Sequence, residues 1–177
     1  MFRRRLFMVV LLFAISLLFM LMCLIYQGRI YREEVAVVEG IYFGMTPSEV
    51  EDSLGEPYEV REETPPVSGV HYLYQYFRIA FRGNEAVVTM RYIPIRNEFR
   101  LQFCKIECFD IADSDAFCSA VNDTLKYKLT GIDGVQQQVT SSGFSLYLNR
   151  GPVGTLYSIS ASEQIVTIVC ECTEFYR

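Results

Sequence analysis

The sequence has only one histidine, and this scarcity argues against most kinds of catalysis. Proline is also scarce, which suits a folded domain better than a disordered stalk. His71 is the only imidazole, so a Ser–His–Asp or Cys–His catalytic site would have to use it. No G-x-S-x-G motif and no glycine-rich phosphate loop occurs. We therefore predict no enzyme: no catalytic residue, cofactor-binding residue or cofactor is assigned. His71 is interpreted as an ordinary residue at a strand start.

Basic residues are also scarce. The chain has 16 Lys and Arg against 21 Asp and Glu, and three of the arginines are consecutive at Arg3, Arg4 and Arg5. Without that cluster the count is 16 − 3 = 13 basic against 21 acidic residues, a net charge near −8. Because nucleic-acid binding needs clustered Lys and Arg to neutralise phosphates, a nucleic-acid partner is not expected.

A long apolar run is present at residues 6–26, directly after the basic cluster. As a helix it would extend about 31 Å, close to the thickness of a bilayer core. The run is longer than the apolar part of a signal peptide and ends at Tyr26 without a small-residue cleavage site. We predict a single-pass transmembrane signal anchor at 6–26, a cytoplasmic basic flank at 1–5 and an extracytoplasmic domain after a spacer at 27–39.

Aromatic residues are abundant, with 13 Phe and 12 Tyr, which suits a folded domain rich in strands. The strongest local signal is a short helix that starts after Thr46. Thr46 and Glu49 form a capping box, Pro47 occupies the first helical position, and Gly55 suits the left-handed end.

The best hairpin signal lies at 71–94, with Gly83-Asn84 as a two-residue turn. That turn places Tyr76 opposite Arg91, and the residues of the two strands then divide between two faces of the hairpin. The core face carries Leu73, Phe77, Ile79, Phe81, Val88 and Met90. The polar face carries Tyr72, Tyr74, Tyr76, Arg78, Arg82, Thr89 and Arg91. Since Tyr and Arg are enriched where partners dock, Tyr72, Tyr74, Tyr76, Arg78 and Arg91 are the predicted partner-binding residues. The other interpretation is a solvent face, or one covered by the second half of the chain.

The second half predicts an amphipathic helix at 114–129 and strands at 144–149, 155–161 and 164–173. The predicted elements follow the order of a helix and then strands, twice over. This order predicts an α+β fold, a two-layer domain of short helices packed on antiparallel sheet, with a possible division into two related α+β units. The predicted boundaries are 40–110 for the first unit and 111–177 for the second unit or a continuation of the same domain.

Five cysteines lie beyond the apolar run. In an oxidising compartment some should pair, and the pattern predicts a bridge from Cys170 or Cys172 to one of the other three. The candidates are Cys104, Cys108, Cys118, Cys170 and Cys172. Their spacing could also hold a metal, but zinc sites usually have other spacers and often histidine, so no metal ligand is assigned.

The segment Gly44-Met45-Thr46, Val50 and Leu54-Gly55-Glu56-Pro57, followed by an aromatic hairpin, resembles the BamE (SmpA/OmlA) family over roughly 39–94. It is also similar to extracytoplasmic domains with the fold of the β-lactamase inhibitor protein. The resemblance implies a small domain that binds other proteins at a cell envelope. A membrane span replaces the family's lipidated N-terminal cysteine, and the second half is longer.

These observations favour a membrane-anchored, extracytoplasmic, non-catalytic protein-interaction domain with an envelope protein as its partner. Two alternatives stay open. One is a redox or metal-responsive sensor that uses the cysteines, and the other is a small-molecule or lipid-binding domain.

Overall fold

The computed structural model describes residues 34–129 and 154–172, the backbone of 135–140, 143–150 and Val153, and Phe13, residues 15–18, Met20 and Arg32. The chain divides into two compact units, Met1–Tyr31 and Arg32–Arg177. Most of the predicted span at 6–26 lies outside the described residues. Among those that are described, no helix has the length and apolar character needed to cross a membrane.

The described residues of the second unit form one antiparallel sheet of eight strands in the order β1-β2-β3-β4-β8-β7-β6-β5. The strands are β1 (Glu59–Glu63), β2 (Tyr72–Phe81), β3 (Asn84–Ile95), β4 (Glu98–Cys108), β5 (Val135–Thr140), β6 (Gly143–Arg150), β7 (Val153–Ser162) and β8 (Ile165–Cys172). Every pairing joins neighbours in the chain except β4 with β8, which lie side by side at the centre.

Helix α1 (Pro47–Leu54) has the ends that the sequence predicts. The Thr46 side chain accepts a hydrogen bond from the Glu49 backbone N–H, the Glu49 carboxylate accepts one from the Thr46 backbone N–H, and Gly55 ends the helix with φ 86°. Helix α2 (Ser114–Leu129) is also confirmed, with Asp113 Oδ1 accepting from Ala116 N–H at 2.9 Å.

Both helices cover the same face of the sheet. Phe117 of α2 packs against Phe81 of β2, with ring centroids 6.3 Å apart. Glu51 of α1 accepts a hydrogen bond from the buried Gln75, which in turn accepts one from the Tyr92 hydroxyl, each at 2.5 Å. The core lies between this face and the helices, together with Val35, Ile41 and Phe43 from the segment before α1.

The predicted hairpin has the right faces but the wrong register. The turn is Arg82-Gly83, with φ 51° and 81°, rather than Gly83-Asn84. Two positive φ angles are what a type I′ turn requires, and Gly83 supplies the second at no steric cost. The pairing therefore shifts by two residues: Arg91 lies opposite Tyr74, and Thr89 lies opposite Tyr76. A shift of two preserves the side of the sheet on which each residue lies.

The predicted fold class is wrong. The sequence indicated a two-layer α+β domain, divided into related units, behind a transmembrane helix. Because β4 pairs with β8, the strands of the second half extend the sheet of the first, and the residues described between 34 and 172 form one continuous sheet with two helices, of 8 and 16 residues. Within the predicted span, Phe13, residues 15–18 and Met20 are helical, but the described residues contain no helix that is long and apolar enough to cross a membrane.

Candidate functional site

The sheet face opposite the helices is called here the open face. It is defined in the described residues by Tyr72, Tyr74, Tyr76, Arg78, Thr89, Arg91, Phe103, Lys105 and Glu171. One cross-strand row of paired residues passes through Arg61, Tyr74, Arg91, Phe103, Glu171 and Leu156. All five predicted partner-binding residues, Tyr72, Tyr74, Tyr76, Arg78 and Arg91, lie on the open face. Both described helices pack on the opposite face, so neither of them covers these residues.

Arg91 holds the centre of the open face together. Its guanidinium carbon lies 4.6 Å from the Phe103 ring centroid and 5.3 Å from the Tyr72 ring centroid. One terminal nitrogen also donates to Glu171 at 2.7 Å and to Gln102 at 3.1 Å, and the side chain is only 22% exposed. Arg91 is therefore an internal anchor of this surface, because its charge is paired with Glu171 and its guanidinium contacts two aromatic rings.

A second cluster lies nearer the β1 edge and is more accessible. Arg61 is over the Tyr76 ring at 5.6 Å, Tyr76 and Tyr58 have centroids 6.3 Å apart, and Arg78 is over the Tyr58 ring at 5.1 Å. Burial raises the pKa of Tyr76 above its ordinary value, so this phenol stays neutral. The four residues form a continuous row of contacts between arginine, tyrosine, tyrosine and arginine, called here the Tyr–Arg row.

Arg78 is the member of the Tyr–Arg row that is best placed to contact a partner. It is exposed, and no carboxylate of the described residues forms an ion pair with it. Arg61, in contrast, pairs with Glu59 at 2.5 Å. The sequence did not identify Tyr58 and Arg61, because Tyr58 precedes β1 and no pattern predicts that β1 lies beside β2.

The sequence also missed Phe103 and Glu171. Both reach the open face through the pairing of β4 with β3 and β8. A register shift in β3–β4 falls between Arg91 and Tyr92, so that Gln102 is an extra residue in β4 and Phe103 lies opposite Arg91. A strand pattern in isolation gives no sign of such a bulge.

The structure brings His71 together with a hydroxyl and a carboxylate. His71 Nδ1 is 2.9 Å from Thr64 Oγ1, and His71 Nε2 is 3.0 Å from Glu62 Oε2. Distances of this kind occur in hydroxyl–imidazole–carboxylate catalytic sites. However, the side chains of His71 and Glu62 are 44% and 60% exposed, so water competes for every hydrogen bond. Catalytic sites that stabilise a transition state usually exclude water, and side chains this exposed do not meet that condition.

The five candidate cysteines are all free and all buried, so the predicted disulfide is wrong. Cys170 and Cys172 face inward as expected, and Cys104 lies directly opposite Cys170, but the chain forms no bond there. Burial raises the pKa of Cys104 to about 12 and, together with the nearby Cys118 thiol, that of Cys108 to about 11. Within the part of the chain that the structure describes, no three His, Cys, Asp or Glu side chains cluster as metal ligands.

Two further surface features carry no site. Two depressions of about 400 and 460 Å³ share Glu163 and Gln164 of the β7–β8 turn, and neither is lined by His71 or by a residue of the open face. Asn122, the first residue of a glycosylation pattern, is only 3% exposed, so it is inaccessible to a glycosyltransferase in the folded domain.

Comparisons of the chain with protein-family models, with curated proteins and with solved structures give no match. The resemblance to the BamE family over 39–94 is therefore neither supported nor contradicted, and it stays a prediction.

Proposed function

We propose that the folded unit is a non-catalytic protein-interaction domain and that its partner docks on the open face, over the Tyr–Arg row. The observation that carries this proposal is a sheet face that neither helix covers and that nevertheless holds aromatic and guanidinium groups in contact with one another. Tyrosine and arginine dominate binding energy at protein interfaces because they present large contact areas with polar ends.

The open face is suited to binding because it is already ordered. The Arg91 contacts fix Tyr72 and Phe103, and the Tyr–Arg row fixes Tyr58 and Tyr76 before any partner arrives. Binding then loses less side-chain entropy, which is the main way that a preorganised surface gains affinity. Arg78 supplies a charged group that a partner's carboxylate or carbonyl can meet.

The alternatives are less well supported. A thiol-based sensor needs an accessible thiolate, and burial raises the pKa of Cys104, Cys108, Cys118 and Cys170 instead. A small-molecule or lipid site is usually an enclosed, mostly apolar cleft. The two depressions near α2 are open and lined largely by acidic and polar residues such as Asp113 and Glu163.

The proposal is tested by photo-crosslinking in cells that express the full chain. A photoreactive phenylalanine replaces Tyr76 on the open face or, as the matched control, Tyr127, a tyrosine on α2 that is 82% exposed. We expect a specific crosslinked protein from position 76 and none from position 127. Equal capture at both positions would show that the open face is not the docking surface.

A pair of substitutions then separates binding from folding. Tyr74→Ala with Tyr76→Ala should abolish co-purification of the crosslinked protein while the melting temperature changes little. Tyr127→Ala should preserve both. If the double variant keeps the partner, the docking proposal fails, and if it unfolds the domain, the face serves internal packing.

A further inference from the structure

The sheet is open, so it has two edge strands, β1 and β5. None of the described strands pairs with the outer side of either one. An edge strand presents unpaired backbone N–H and C=O groups to any chain that can pair with them. The two edges differ in how well their residues prevent such pairing.

The β1 edge is protected. Four of its five residues are charged, in the order Glu59, Val60, Arg61, Glu62, Glu63. Pro57 precedes the strand and Pro65 follows it, and proline has no N–H to contribute to a ladder. Charges and prolines at an edge are the usual devices that prevent a further strand from adding.

The β5 edge lacks every one of these devices. Its six residues, Val135–Thr140, include no charge and no proline, and half of them are the β-branched types that favour strands. The order Val135-Gln136-Gln137-Gln138-Val139 also reads the same in both directions. Two copies related by a twofold axis at Gln137 would thus place Val135 opposite Val139, and Gln136 opposite Gln138.

We infer that the β5 edge is a self-association surface, where a second copy of this chain adds its own β5 antiparallel to form one continuous sheet across a twofold axis. Twofold dimers are the commonest closed assemblies, and they use the same patch on both subunits. The outer strands of the combined sheet would both be β1, so the charges of that strand stop further growth and the assembly closes at two copies. This inference is independent of the open-face docking proposal.

The twofold register is tested by two double variants that change the same two positions, 136 and 138, and differ only in the sign of the charge at 138. Gln136→Lys with Gln138→Glu places opposite charges across the axis, whereas Gln136→Lys with Gln138→Lys places like charges there. Sedimentation equilibrium of the full chain in mild detergent, over a wide range of protein concentrations, gives the mass of each. We expect the wild type and the Lys/Glu variant to be dimers. The Lys/Lys variant should be a monomer, with half the protein mass of the other two.

Equal masses for the two double variants would overturn the inference, and so would a wild type that is monomeric at every concentration or larger than a dimer.

A second measurement covers the case in which a charged variant fails to fold. Cys23, the one cysteine within the apolar run, is first replaced by serine so that it cannot crosslink. In that background Gln137→Cys should form a disulfide-linked dimer under mild oxidation, since opposed antiparallel residues have Cα atoms within disulfide range. Val60→Cys on the β1 edge is the control and should not crosslink. Failure of Gln137→Cys to crosslink would exclude this register.

Discussion

Cys104 and Cys170 lie directly opposite each other on the central strands β4 and β8, both fully buried and both with free thiols. Burial raises the pKa of both, that of Cys104 to about 12 and that of Cys170 well above its ordinary value. The pair fills the middle of the core face as two small apolar side chains. Its neighbours there are the buried Met90, opposite Cys104 on β3, and Tyr157, opposite Cys170 on β7.

The first prediction concerns these thiols. Iodoacetamide attacks the thiolate, so at pH 8 it should leave Cys104 and Cys170 unmodified in the native protein and alkylate both after denaturation. Peptide mapping by mass spectrometry identifies each site. Rapid alkylation of Cys104 before unfolding would show that the central strands separate in the native state.

The second prediction concerns the start of α1. Thr46→Ala removes the side chain that accepts from the Glu49 backbone N–H, and it should lower the free energy of unfolding by about 0.5–2 kcal/mol. Ser48→Ala, at an exposed position of the same helix, is the control and should change it far less. The measurement is urea denaturation of both variants. Equal midpoints for the two variants would contradict the capping role.

The third prediction concerns the pH dependence of that cap. Burial opposes ionisation of Glu49, but hydrogen bonds from Thr46 and the ion pair with Arg32 outweigh it and hold its pKa below 4.5. A carboxylate whose pKa is lowered by folding stabilises the protein at pH values above its pKa in the unfolded state. That contribution is lost as the pH falls through its pKa in the folded state. The stability difference between wild type and Glu49→Gln should therefore be constant near neutral pH and shrink below pH 4.5. A difference that grows in acid would contradict the sign.

The fourth prediction separates anchoring from docking on the open face. Arg91→Lys should lower the free energy of unfolding by about 0.5–2 kcal/mol, because a compact ammonium cannot keep the contacts of the planar guanidinium with Tyr72 and Phe103 and both of its hydrogen bonds. Arg78→Lys, at an exposed position over one ring, should cost less than about 0.5 kcal/mol. Thermal denaturation of the two variants gives the comparison. A larger loss for Arg78→Lys would reverse their proposed roles.

The fifth prediction concerns localisation, which rests on Arg3–Arg5 and the apolar run after them. A protease added to intact cells or spheroplasts should cleave the folded unit, since the basic cluster favours a cytoplasmic N-terminus. Cleavage of a cytoplasmic marker protein in the same sample would reveal lysis and serves as the control. Protection of the folded unit until lysis would place it in the cytoplasm.

The sequence was sufficient for the faces of the hairpin and for both helices. Leu73, Phe77, Val88 and Met90 are buried as predicted, because alternation with period two identifies a face whatever the pairing. The register was wrong because the dipeptide Gly83-Asn84 resembles a turn, while the chain turns one residue earlier. Alternation cannot detect that error, since a shift of two residues leaves every face unchanged.

Contacts between distant parts of the chain could not be predicted in this way. The stacking of Arg91 on Phe103 depends on the shift in the β3–β4 register, and its ion pair with Glu171 depends on β8 lying beside β4. The approach of Thr64 to His71 depends on how the chain returns from β1 to β2. Each of these contacts is a consequence of strand pairing, which local residue patterns leave undetermined.

The central position of the β4–β8 pair has a consequence for biosynthesis. During translation β1 to β4 can pair as soon as residue 108 is available, but β8 begins at Ile165. Until then β4 is a temporary edge whose Leu101, Cys104 and Ile106 cannot yet be covered as they are in the finished core. Folding must wait for a contact between distant parts of the chain, which slows it. The nascent first half therefore has its greatest exposure to aggregation while residues 109–164 are being made.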